Sequence, residues 1–366
     1  MSPRTRPGRR PRPQSGPEPY RVRISDPGEI AAALPQLIGF RPVESVVLIS
    51  LKGASGRRVG LTVRADIPAD EHVRALAGFL TRSIRTDSPA GVLVAVVSEA
   101  PNESATEGST ELPHHTLVRE LTIALATAGI PLRDALLVRD DRWWSFDCSR
   151  SCCAPERGTP LPGGVSELAA ASVAAGVVVA ENREELESRI APPGGLAWAA
   201  VRNAVLRVGA ELDVRALAYT RDELADEGWD AVRAALARFR RAAAEPPTDD
   251  ELARVLWALD DVPVRDHALE LALGDDADAA EALWTYCTGR APAPLDAPPA
   301  TLLAVSAWLR GDGAMANVAL ERALGSAPDY RLADLLRRAL SRCVPPEELR
   351  ALLRDGVADD AAWPPA

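Results

Sequence analysis

The chain has 366 residues and a net charge of −10, from 42 basic and 52 acidic side chains, so it exceeds what one hydrophobic core usually serves and reads as two or three domains. Lys52 is the single lysine among those basic residues, an arginine skew that follows from a GC-rich genome and says little about phosphate binding. Residues 1–20 carry Arg4, Arg6, Arg9, Arg10 and Arg12 against Glu18, or +4, leaving −14 on an acidic body that excludes a broad nucleic-acid footprint.

The tail over residues 1–20 has no apolar run behind its arginines, so it lacks the hydrophobic region of a secretory signal. A disordered Arg/Pro-rich leader on a cytoplasmic protein is expected, and it is the one segment suited to nucleic acid or an acidic partner. No later stretch reaches about 18 consecutive apolar residues, since Gly164–Ala180 is interrupted by Ser166, Glu167 and Ser172. No membrane span is expected.

Asp26, Pro27 and Glu29 mark a helix start with capping-box spacing, and Pro35 or Gly39 its end. Val43–Leu51 is a continuous apolar run suited to a strand covered on both faces, with Gly53 and Gly56 turning the chain. The next strand alternates, placing Val59, Leu61, Val63, Ala65 and Ile67 on one face of a hairpin. Val73, Leu76, Ala77, Leu80 and Ile84 have helical spacing, Gly91–Val97 is another buried strand, and Pro101–Glu111 is a polar loop. A second amphipathic helix carries Leu117, Leu121, Leu125 and Ala128 up to Gly129 and Pro131, followed by short strands at Ala135–Val138 and Trp143–Phe146. The expectation is an α/β domain with a mixed sheet over residues 21–164.

Pro155, Gly158, Pro160, Pro162, Gly163 and Gly164 then form a breaker-rich linker to an all-α half. Its expected parts are a helical segment over 165–245, a helical domain over 246–345 and a C-terminal tail over 346–366. Pro292–Pro299 is expected to be a mobile connection. In TLLAVSAWLRGDGAMANVALERALGSAPDY the small and apolar residues from Leu303 through Gly311, Ala316 and Leu320 to Pro328 have tetratricopeptide-like spacing, predicting one helical hairpin.

PQLIGFRPVESVVLISL, RVGLTVRADIP, WWSFDCSRSCC and GDGAMANVALERAL, taken in this order, resemble an uncharacterised actinobacterial family, the domain of unknown function numbered 4192. The resemblance covers about residues 21–345. It implies a domain layout and supplies no catalytic residues.

WWSFDCSRSCC holds three of the five cysteines and two of the eight tryptophans. Cys148, Cys152 and Cys153 are the candidate ligands for a metal, zinc above all, with a fourth donor sought from His114, His115 or Asp147. The spacing argues against convergence, because adjacent residues such as Cys152 and Cys153 point apart in an extended chain. The rival expectation is a packed turn in which one tryptophan is buried and the other covers an edge. A Cys/His nucleophile would need His114 or His115 beside a thiol. Phosphate-binding signals are weak: Gly53–Gly56 leads into a strand, and no strand feeds Gly158–Gly164 through a GxGxxG pattern. Cys287 and Cys343 fall on apolar helical faces and read as packing residues. With no acid, base and nucleophile set assembled, a non-catalytic interaction or regulatory protein with a protein partner leads; a metal- or thiol-dependent enzyme or redox sensor built on the three cysteines is the alternative.

Overall fold

The structure, a computed structural model, describes residues 26–53, 58–104, 110–164, 170, 179–240 and 245–359. The arginine tail and most of 165–178 lie outside these residues. A six-stranded mixed sheet in the order β2-β1-β3-β6-β7-β8 organises the N-terminal part. Its strands are β1 (Ser45–Lys52), β2 (Arg58–Asp66), β3 (Gly91–Val97), β6 (Leu132–Arg139), β7 (Arg142–Ser145) and β8 (Thr159–Pro160). Only β3 and β6 pair in parallel, and they are joined over α4 (His115–Thr127). The short strands β4 (Glu103–Ser104) and β5 (Thr110–Glu111) pair inside the segment expected to be a plain polar loop.

The unbroken apolar run of β1 is explained by cover on both faces. Val46 and Leu48 pack with α3 (Val73–Arg85) and α4, while Val47, Ile49 and Leu51 pack with α1 (Pro27–Ala32) and α2 (Leu34–Ile38). In β2 the expected alternation fails at one point. The register slips between Ile49 and Leu51, so Val59 joins the α1/α2 side while Leu61, Val63, Ala65 and Ile67 face α3. A bulge adds one residue and reverses the facing of everything before it. Asp26 caps α1 by accepting from the Gly28 N–H, not from the third helical residue as a capping box requires.

At the bulge sits Asp87, which accepts from Ser50 Oγ (2.6 Å), Lys52 Nζ (2.7 Å) and the Leu61 N–H (2.9 Å). Burial alone would raise its carboxyl, but the Lys52 and Ser50 hydrogen bonds and the Leu61 N–H together hold it below the ordinary 3.8. Asp87→Ala is expected to lose about 2–3 kcal/mol at neutral pH, because Ser50 and the Leu61 N–H keep no acceptor. A depressed folded-state pKa stabilises fully above the unfolded value and loses its effect as pH falls through the folded one. The gap between wild type and Asp87→Asn in urea midpoints is therefore full above pH ~4 and closes in stronger acid; a gap that widens in acid would contradict this.

The second part is helical: α5 (Arg183–Ser188), α6 (Gly195–Arg215), α7 (Arg221–Phe239), α8 (Asp249–Asp260), α9 (Val262–Glu270), α10 (Ala277–Thr288), α11 (Ala297–Arg310), α12 (Gly313–Ser326), α13 (Arg331–Ser341) and α14 (Pro346–Asp359). Thr220 with Glu223 and Thr248 with Glu251 form capping boxes that start α7 and α8. Every residue of α11 from Ala297 to Leu309 is buried, so this helix is the axis of the helical core. Gly311, at φ 93°, ends it, and Asp312 starts α12 by accepting from the Met315 N–H, closing a helical hairpin.

Two expectations are corrected here. Pro292–Pro299 is no mobile connection, since Leu295 is buried and Pro298 and Pro299 form the buried first turn of α11. The expected tail from residue 346 begins as α14, whose Leu349 is buried in the helical core and whose Arg350 donates to Leu309 O. The two parts also interlock. Phe40 lies in the helical core, and Arg41 N–H and Ala180 N–H bond across to Ala180 O and Gly39 O. Among the described residues no helix is long and apolar enough to cross a membrane.

Candidate thiolate metal centre

The site is built by the way β7 ends. Strands β6 and β7 form a tight hairpin through Asp140 and Asp141, at φ 50° and 55°, and Phe146 still bonds to Ala135 O. Beyond it, Ser145 turns the chain: its hydroxyl donates to Asp134 Oδ1 (2.7 Å) and accepts from the Asp147 N–H, while its carbonyl accepts from the Cys148 N–H. Burial raises the Asp134 carboxyl, with the Ser145 hydrogen bond opposing.

Ser151–Cys153 then forms one turn of 3₁₀ helix, with the Cys153 N–H bonded to Arg150 O. In such a turn neighbouring side chains are separated by about 120°, not by the 180° of a strand. The expectation that Cys152 and Cys153 diverge is overturned for this reason. The sulfurs of Cys148, Cys152 and Cys153 all lie within 4.8 Å of one another, with Cys148 Sγ and Cys152 Sγ 4.0 Å apart. The depth is graded: Cys153 is buried, Cys148 half-buried and Cys152 exposed.

The loop is clamped from outside. The indole of Trp144, itself buried, donates through Nε1 to Ala154 O (3.1 Å), and the Arg139 guanidinium stacks 5.0 Å above its ring. Asn102 Nδ2 donates to Pro155 O, and Arg142 donates to Arg157 O and Gly158 O. Trp143 is half-buried, its indole lying against Gly28.

The three thiols are electrostatically unequal. Cys148 is lowered below the ordinary thiol range by the Arg150 N–H first, then by the Cys153 thiol, with the Arg150 charge adding to it. Cys153 is pushed up to about 11 by burial, against the Ser145 N–H that points at its sulfur from 3.4 Å. Thiolate character therefore concentrates on the half-exposed Cys148, as in reactive and metal-binding cysteines.

A tetrahedral ion with metal–sulfur bonds of about 2.3 Å holds its sulfurs about 3.8 Å apart. The Cys148–Cys152 separation of 4.0 Å is close to that spacing, and no pair of the three exceeds 4.8 Å. The expected fourth donors do not join it: among the described residues no histidine, aspartate or glutamate extends the group. His114 instead begins α4 at φ 65°, with Nε2 2.8 Å from Ser98 Oγ, and the His115 ring packs edge-on against Phe146. Cys287 is fully buried on α10 and pushed up to about 12 by that burial, and Cys343, also raised by burial, packs beside α3. Arg150, Ser145, Arg139 and Asn102 also build the site; Ser145 and Arg150 lie within WWSFDCSRSCC, whereas Arg139 and Asn102 carry no local sequence signal for it.

A family model described as "Domain of unknown function (DUF4192)" matches residues 27–347. No curated protein and no solved structure gives a significant match.

Proposed function

Since the chain belongs to the DUF4192 family, whose description carries no activity, its chemistry has to come from its own side chains, and we propose that Cys148, Cys152 and Cys153 bind one thiophilic divalent ion, zinc, in a three-thiolate centre. The observation that carries this reading is the convergence of the three sulfurs within 4.8 Å. Thiolates select soft ions over magnesium or calcium. Three protein donors leave one coordination position for water or for a side chain of a bound partner. The role favoured is that of a non-catalytic interaction or regulatory protein, with the tetratricopeptide-like hairpin α11–α12 and its neighbours as the partner-binding half and the metal fixing the loop beside the sheet.

The test is direct. Reduced protein reconstituted with zinc and desalted is expected to retain one equivalent by elemental analysis, and cobalt(II) in its place should give intense thiolate-to-metal absorption in the near ultraviolet. Less than half an equivalent of zinc retained, with no such band, removes the proposal.

A further inference from the structure

Helix α6 is apolar on two opposite faces, and among the described residues only one of them has a partner. Val201, Ala204, Val205, Val208 and Gly209 are buried. Trp257 of α8 lies against Gly209 and donates through its Nε1 to Val205 O. The opposite face carries Leu196, Ala199, Asn203, Leu206, Ala210 and Val214, followed by Leu217 in the next turn. At 3.6 residues per turn these positions share an arc of about 80°. Leu196, Leu206, Val214 and Leu217 are 90%, 67%, 67% and 88% exposed, so the stripe is bare along the whole helix. The intervals of three and four residues are those of a coiled-coil seam, with Asn203 as the one polar residue in it.

The charges beside the stripe indicate what covers it. On one flank Arg207 and Glu211 are already paired with Asp250 and Arg254 of α8. On the other flank the exposed Arg202 and Asp213 have no ion-pair partner among the described residues. They are eleven residues apart, or about 16 Å along the axis. Two antiparallel helices related by a two-fold axis bring like flanks together, head to tail. Arg202 of one copy then faces Asp213 of the other, twice, and Leu206 falls beside the small Ala210 near the axis. A parallel pair would set this flank against the saturated one. We propose that α6 is the seam of a homodimer, packed antiparallel on α6 of a second copy. The inference is independent of any metal at the cysteines.

The full-length reduced chain, followed by sedimentation velocity between about 1 and 100 µM, is expected to show a reversible dimer. Leu206→Glu should weaken it at least about ten-fold, since it places a charge in the centre of the seam. Arg202→Glu alone should also weaken it, and Arg202→Glu with Asp213→Arg should restore it, which only the antiparallel arrangement allows. Unchanged circular dichroism of Leu206→Glu, and melting equal to that of the wild type at a concentration where both are monomeric, would separate lost association from lost folding. A monomer at every concentration, or a dimer indifferent to Leu206→Glu and to the charge reversal, overturns the inference. So does a melting temperature lowered in Leu206→Glu at a concentration where the wild type is itself monomeric, which would mean that another part of the same chain covers the stripe.

Discussion

Cys153→Ser is expected to weaken zinc binding by at least two orders of magnitude, about 3 kcal/mol or more. Serine is a poor ligand at neutral pH, and the two remaining sulfurs, Cys148 and Cys152, form a two-donor site open to water. Cys153 is the sulfur with the largest burden to overcome. Its thiol is pushed up to about 11 by burial, so in the free protein it is protonated at pH 7, and ion binding must expel that proton. Wild-type affinity should therefore climb as pH rises from about 6 to 9, and Cys153→Ser should show a shallower climb because one displaced proton is gone. Cys148→Ser should lower affinity comparably. Cys287→Ala should leave it unchanged, because that thiol is sealed in the helical core. Competition with a chromophoric chelator measures all four proteins. Equal affinity in wild type and Cys153→Ser would show that the ion does not sit among the three sulfurs.

The framework was legible in the sequence because burial on both faces of a strand and on one face of a helix leaves periodic traces. The run in Ser45–Leu51, the spacing of Val73 to Ile84 and the Gly311–Asp312 corner each identify an element without tertiary information. What escaped was decided by local geometry or by distant partners. A one-residue bulge beside Gly60 leaves no mark in the alternation of Val59 to Ile67, since apolar residues occupy both sides of the slip. Pro298 and Pro299 suit a helix's first turn as well as a linker, and their burial depends on the helices around them. The cysteine spacing marks the site but not its geometry: an extended chain would part Cys152 and Cys153, whereas Ser145 and Asp134 turn the strand and a 3₁₀ turn gathers the sulfurs. The bare face of α6 belongs to the same class. Leu196, Leu206, Val214 and Leu217 have the helical spacing of a core face, and only the packing of α8 on the other side leaves them exposed.

Gly158→Ala is expected to destabilise the N-terminal part by about 3 kcal/mol, from two additive sources. Gly158 sits at φ +60°, where an alanine costs about 1 kcal/mol or more. The added methyl would also lie 2.4 Å from Cζ2 and 2.5 Å from Cε2 of Trp144. That ring has little freedom to retreat, because its Nε1 is bonded to Ala154 O, Arg139 covers its face and its side chain is buried. Crowding of this kind typically adds 1–3 kcal/mol. The two sources separate in a double-mutant cycle: Trp144→Leu vacates the ring's volume, so Gly158→Ala introduced on that background should lose only the backbone part, giving a coupling of about 1–2 kcal/mol. Denaturant midpoints for the four proteins supply the cycle, and a coupling near zero would mean the ring gives way to the methyl without cost. The same pair ties stability to the thiols, because the Trp144 indole holds Ala154, the residue directly after Cys153. A ring displaced by the methyl releases that carbonyl and loosens the 3₁₀ turn, so Gly158→Ala should weaken zinc binding as well, by about ten-fold and without removing a ligand, the size of effect a supporting residue around a metal usually has.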